Sequence, residues 1–87
     1  MFTTSRYSSN ETKEKTKKLA GIFSSVYVSR GKKPLSELVE KARNDGERRI
    51  CIAEEKNKKF SRLRIVEVKS DGSWEWLSDV GFYEERN

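Results

Sequence analysis

Apolar and polar positions alternate in short blocks along this chain, and their spacing predicts a run of small elements. Residues 1–5 (MFTTS) are β-branched and aromatic and predict a first strand. Ser8 followed by Glu11 fits a capping box, in which two side chains satisfy orphan amides of a helix's first turn. Residues 10–23 behind it predict a first helix. Glu11/Lys15 and Glu14/Lys18 are favourable i,i+4 pairs on one side, and Thr12, Thr16, Leu19 and Phe23, with Ala20 beside them, form the opposite stripe. Residues 26–29 (VYVS) predict a second strand, ended by Arg30-Gly31-Lys32-Lys33. Pro34 then supplies the fixed φ favoured at a helix's first turn. Leu35, Leu38, Val39 and Ala42 give the stripe of a second helix, and Gly46 suits the left-handed position behind its last turn.

Residues 50–53 (ICIA) are continuously apolar, as a central strand covered on both faces would be. Residues 54–61 read as a polar, basic loop, and 63–69 as a fourth strand. Ser70-Asp71-Gly72-Ser73 carries the Asp-Gly hairpin signal. Residues 74–80 complete the hairpin, so 1–80 read as one domain and 81–87 as an acidic tail. Strands joined through helices should lie parallel, with right-handed crossovers. The expected fold is therefore α/β, an open mixed sheet of about five strands in the order 2-1-3-4-5 with one helix on each face.

Composition narrows the function. With 87 residues the chain has room for one small domain and excludes a multidomain enzyme. No apolar run approaches the ~20 residues of a membrane span, and the start MFTTSRYSSN has no signal-peptide core. The lone Cys51 excludes an internal disulfide, and the absence of His removes the usual metal ligand and proton shuttle. Cys51 reads as a small core residue, since no His is available to activate it. Glu54 and Glu55, adjacent on a strand, would face opposite ways and could not work as an acid–base pair. There is no Gly-rich phosphate loop, H-E-x-x-H or G-x-S-x-G motif. A soluble cytoplasmic protein is expected, with no catalytic residues, no metal, no cofactor and no membrane partner.

Charge points to a partner. The net charge of +5 divides into +6 over residues 1–33, +3 over 34–70 and −4 over 71–87. Open α/β sheets bind ligands beyond the carboxyl ends of their parallel strands, where strand order reverses. Three segments fall at that edge: Ser5-Arg6-Tyr7, Ser29-Arg30-Gly31-Lys32-Lys33 and Glu55-Lys56-Asn57-Lys58-Lys59. The amino end of the first helix would favour an anion at the same place. Tyr7 and Phe60 flank these loops and could stack on unpaired bases, with ordinary core packing the alternative for Phe60. Arg62 and Arg64 would share one face of their strand. A nucleic acid is the expected ligand, and a merely solvated surface the bland alternative.

Thr3-Thr4-Ser5-Arg6, Tyr27-Val28-Ser29-Arg30-Gly31-Lys32-Lys33, the Leu35-x-x-Leu38 helix, Glu55-Lys56 and Ser61-Arg62-Leu63 together resemble the Brix-domain family, its archaeal Imp4-like members above all. The resemblance spans residues 2–68 and rests on the ordered set, since no single motif is specific. It implies a ribosome-biogenesis factor that binds rRNA or pre-rRNA during processing and subunit assembly. It also implies the N-terminal half of a two-part α/β domain, each part similar to the anticodon-binding domain of class IIa aminoacyl-tRNA synthetases. RNA contact is carried onto Ser5, Arg6, Arg30, Lys32, Lys33 and Arg62. The acidic end does not align.

Trp74 and Trp76, two apart, share one face of the last strand. They are either core or a docking face. The competing function is thus a protein-interaction module that docks a ribosomal or assembly protein through the Trp hairpin and acidic tail. Because the family's domain pairs two similar parts, a homodimer that mimics the pairing is a further expectation.

Overall fold

The computed structural model describes residues 1–77, with Val80 and Gly81 described by their backbone. The chain order is β1 (Phe2–Thr4), α1 (Asn10–Ile22), α2 (Leu35–Asn44), β2 (Arg49–Lys56), β3 (Lys59–Val68), β4 (Trp74–Trp76) and β5 (Val80–Gly81). β1 runs parallel to β2, β2 antiparallel to β3, and β3 antiparallel to both β4 and β5. Arg62 and Leu63 pair with β2 and also with β5, so β4 and β5 share the outer edge of β3. The single strand expected over 74–80 is therefore two short ones, and the acidic end 82–87 lies outside the described residues.

The strand expected over 26–29 is reduced to an isolated parallel bridge between Phe2 and Tyr27. Two backbone bonds hold it, Phe2 N–H to Val26 O and Val28 N–H to Phe2 O, each 2.8 Å. β1 is three residues long and pairs along its whole length with β2, whereas on its other edge only Phe2 is bridged. The sheet path among named strands is β1-β2-β3-β4, with the Tyr27 bridge on the outer side of β1.

Alternation along β2 divides the core. Ile50 and Ile52 join Met1, Leu38, Val39, Ala42, Val66 and Val68 in one cluster, whose helix is α2. Cys51 and Ala53 belong with Phe2, Ala20, Leu63 and Leu19, whose helix is α1. The two helices thus cover opposite faces. α1 lies on the sheet through a face of small residues, Thr12, Thr16 and Ala20, and the Thr16 hydroxyl donates back to Thr12 O at 2.7 Å. Phe23, expected in the buried stripe, is 64 % exposed, although its ring stacks on Phe2. Burial pushes the Cys51 thiol up, as its role as a small core residue requires.

The residues 54–61, read as a loop, are mostly strand. β2 and β3 meet in a two-residue turn at Asn57 (φ 55°) and Lys58 (φ 64°), the pair of positive φ values that a type I′ hairpin needs. Glu54 pairs with Arg62 but Glu55 with Phe60, so Ser61 is the extra residue of a bulge. That extra residue brings Phe60 to the same face as Leu63, against the α1-side cluster. Phe60 is half-buried and packs against that cluster, the alternative that the sequence offered beside base stacking.

Both helices end in the same six-residue geometry. Behind α2, Glu47 N–H bonds Ala42 O at 2.8 Å and Gly46 N–H bonds Arg43 O at 3.2 Å, with Gly46 at φ 77°. Behind α1, Ser25 N–H bonds Ala20 O at 2.7 Å and Ser24 N–H bonds Gly21 O at 3.1 Å, with Ser24 at φ 53°. A serine there carries a Cβ in the left-handed region, which costs roughly 1–2 kcal/mol. Gly46→Ala should therefore lower stability in a urea melt by about 1 kcal/mol, and Ser24→Gly should raise it by up to about 1 kcal/mol. Shifts of the same sign in both variants would contradict this account of the caps.

Candidate nucleic-acid interface

The chain leaves β1 through a turn at Arg6 and Tyr7 and enters α1 at Ser9, and the rim is organised around this link. Ser5 N–H bonds Ala53 O at 2.8 Å, which continues the parallel pairing of β1 with β2. The Ser8 hydroxyl donates to Ser5 O at 2.7 Å and closes the turn. Tyr7 takes φ 63° at its tip and is 80 % exposed. A bulky side chain in the left-handed region is uncommon and is stored only where the surroundings impose it.

Ser9, and not Ser8, caps α1: its Oγ accepts from Thr12 N–H at 3.3 Å. The expected partner Glu11 takes no part. Glu55 at the end of β2 fills its place, its Oε2 accepting from both Ser9 N–H and Ser9 Oγ at 2.6 Å. The capping box is completed from 46 residues away. The hydrogen bonds from Ser9, then that from Thr12, hold the Glu55 carboxyl below the usual carboxylate range. The amino end of α1 thus already holds a carboxylate and is not the open anion site the sequence suggests.

On the other side, Arg30 ties the 30–33 loop to β1. Its Nε donates to Lys33 O at 2.7 Å and a terminal N–H donates to Thr4 O at 3.0 Å. Lys33 Nζ donates to Ser29 O at 3.0 Å. Burial, then the nearby charge of Arg6, lowers the Arg30 pKa. The link after β1 is therefore bonded to both other basic segments, to 30–33 through Arg30 and to the β2–β3 turn through Glu55. Ser9 Oγ also lies 3.1 Å from Lys58 O.

The sequence-predicted residues fall into three groups. Ser5, Arg6, Tyr7, Arg30, Lys32, Lys33, Lys56, Lys58 and Lys59 belong to the turns at this end. Among the described residues Arg6, Lys32, Lys56, Lys58 and Lys59 form no ion pair, whereas Lys15, Lys17, Lys41 and Lys69 do. Lys18, Arg43, Arg48 and Arg49 are also without one but lie on other parts of the fold. Arg62 stands apart. It bonds Glu54 at 2.9 Å on the α2 face of the sheet, and Arg64 on the same face lies 3.9 Å over the Trp76 ring. Trp74 and Trp76 meet edge to face and pair with Val68 and Val66, so they continue the α2 face beyond the helix. They are 38 % and 40 % exposed.

A cleft of about 230 Å³ opens between the link after β1, the first turn of α1 and the 30–32 turn. Lys13 and Thr4 line it beside the expected residues, and sequence reasoning passed over both. Lys13 looked like one more solvated helix cation, and Thr4 like a strand residue of no special chemistry. Among the described residues no group of His, Cys, Asp and Glu could hold a metal ion, and no helix is long and apolar enough to cross a membrane.

The sequence matches no family model and no curated protein. Its fold is similar to that of Mil, an archaeal Imp4-like protein, with a TM-score of 0.71 and 25 % identity over 84 % of this chain and 45 % of that one. It is also similar to a probable ribosomal biogenesis protein from Aeropyrum pernix K1, with a TM-score of 0.79 and 23 % identity over 90 % of this chain and 44 % of that one. The chain spans less than half the length of these structures.

The Glu55 cap has a pH signature. Its folded carboxyl binds a proton less tightly than the unfolded one, so its stabilisation is complete above the unfolded value of about 4.3 and is lost as pH falls through the lower folded value. Glu55→Gln should cost about 1 kcal/mol at pH 7, the usual worth of a cap. The difference from wild type should shrink in urea melts at pH 3. A difference that stays constant between the two pH values would show that the carboxylate is not the capping group.

Proposed function

We propose that this chain binds unpaired RNA as a non-catalytic factor of ribosome assembly, with rRNA or pre-rRNA as the partner. The observation that carries the reading is the bonding of two cationic turns to the short basic link after β1, which gathers Arg6, Lys32, Lys58 and Lys59 at one end of the sheet beside an exposed Tyr7. Cations that lack carboxylate partners suit a polyanion, because phosphates can neutralise them without first breaking an ion pair. The exposed ring adds a surface on which an unstacked base can lie. The likeness to an Imp4-like protein and to a ribosomal biogenesis protein supports the same reading.

Arg30 and Lys33 hold the 30–33 loop together, so they are poor sites for a clean test. Arg6→Gln, Lys32→Gln and Lys59→Gln in one chain leave those bonds intact. This variant should keep its melting temperature and bind single-stranded RNA at least tenfold more weakly at about 0.1 M salt. The slope of log K against log salt should fall by about two, since each single-strand phosphate contact contributes roughly 0.7. An unchanged dissociation constant would overturn the assignment of the rim.

The half-exposed indoles favour a second reading, in which the α2 face beyond the helix docks a ribosomal or assembly protein, or a second copy of the chain standing where the matched structures have further residues. On this reading light scattering at micromolar concentration gives about 20 kDa for a pair of 10.2 kDa chains, and Trp74→Ser with Trp76→Ser restores the single-chain mass. A wild-type particle of single-chain mass removes the paired form.

A further inference from the structure

Thr4 is 1 % exposed, and its Oγ1 has no hydrogen-bond partner. Its neighbour Thr3, equally buried, donates to Val28 O at 2.6 Å, so an orphan hydroxyl is not a general property of this strand. A buried donor without an acceptor costs about 1–3 kcal/mol. Side chains alternate along a strand. Phe2 and therefore Thr4 belong to the α1 side, where the cleft lies between Thr4, Ser8, Tyr7, Lys13, Arg30 and Lys32.

The chemistry of this lining is one-sided. It contains three cations and four hydroxyl residues but no carboxylate. Arg30 uses two of its five N–H groups on Thr4 O and Lys33 O, which fix the guanidinium and leave three. Burial and the charge of Arg6 both disfavour its cationic form, and an anion in the cleft would relieve them. At Gly31 a Cβ would meet nothing within 4 Å, so the backbone there is open to a close approach. The volume is below the roughly 300–1,000 Å³ of sites for drug-sized ligands, and suits one small group.

We propose that this cleft is a subsite for a single phosphate group of a nucleic-acid strand. Rotation about χ1 turns the Thr4 hydroxyl, sealed from solvent in the free chain, to donate to a phosphate oxygen, Arg30 supplies further N–H donors, and Lys13 and Lys32 neutralise its charge. Tyr7, on the lip, receives the adjoining base. The amino end of α1 has no part in it, because Glu55 holds that position. The inference rests on the RNA-binding reading but names a narrower thing, one pocket with two residues, Thr4 and Lys13, outside the expected basic set.

The test uses inorganic phosphate and a twelve-residue uridylate RNA as separate probes. Titration with phosphate, followed by backbone amide resonances, should give saturable shifts concentrated at Ser5, Ser8, Gly31 and Lys32. Thr4→Val should leave stability equal or higher, because it removes an unsatisfied hydroxyl at constant shape. It should also weaken both probes by three- to tenfold without changing the salt slope. Lys13→Gln, on an accessible helix position, should weaken both and lower the RNA salt slope by about 0.7. If the uridylate binds and neither variant changes it, the subsite is wrong while the RNA reading stands. If phosphate saturates the cleft and is lost in both variants but the uridylate does not bind, the subsite stands and the RNA reading falls. Phosphate shifts spread evenly over all lysine-bearing segments would overturn the subsite directly.

Discussion

Two charge-assisted contacts hold the link between β1 and α1 from opposite sides: Arg30 donating to Thr4 O, and Glu55 accepting from Ser9. Each joins a charged side chain to the backbone, and such bonds are about twice as strong as neutral ones. Between them lies a turn whose tip residue, Tyr7, adopts φ 63°. Together with the Ser8 hydroxyl on Ser5 O, these anchors hold the tyrosine in that conformation and keep three short loops in register. The rim is therefore built from the ends of the elements, and the sheet supports it through these bonds and through Ser5 N–H on Ala53 O.

The same contacts explain how charge is partitioned over the molecule. On the α2 face Glu54 lies against Arg62 and Arg64, and Arg64 in turn covers Trp76, so cation, carboxylate and indole neutralise or shield one another. At the rim the neighbouring carboxylate, Glu55, is committed to the cap of α1 and accepts from Ser9 and Thr12. A bulge at Ser61 and the alternation of β2 send these adjacent glutamates to opposite faces. One glutamate thus quiets a basic face, and the next is spent inside the fold and leaves the rim cationic.

Much of this arrangement was legible in the sequence. The second helix, its glycine stop and the Asp-Gly hairpin follow from local chemistry, and the division of the helices between faces follows from the order of elements. The gathering of basic turns followed from where parallel strands end. Long-range bonding and irregular pairing were not legible. No local signal shows that Glu55 rather than Glu11 completes the cap of α1, or that Ser24 without a glycine takes the left-handed position. The Asn57-Lys58 turn was hidden because only a glycine or asparagine at its second position would announce it, and the bulge broke the alternation that marks a strand. Residues 26–29 are reduced to one bridge, because beyond it the segment bonds β1 through the Thr3 hydroxyl and the Arg30 guanidinium in place of a backbone ladder.

A rim of this kind carries a standing electrostatic cost. Arg30 is half-buried beside Arg6, and the unpaired lysines of two further turns face the same solvent. Water and salt screen the exposed ones, but a guanidinium held by two backbone carbonyls cannot move away from its neighbour. The fold keeps Arg30 and Thr4, with its orphan hydroxyl, in the lining of one small cleft, although valine at position 4 would remove the unpaired hydroxyl and a carboxylate in the lining would relieve the guanidinium. Both features oppose stability in the free chain, and a single anion in the cleft would relieve them together, which is the physical content of the proposed phosphate subsite.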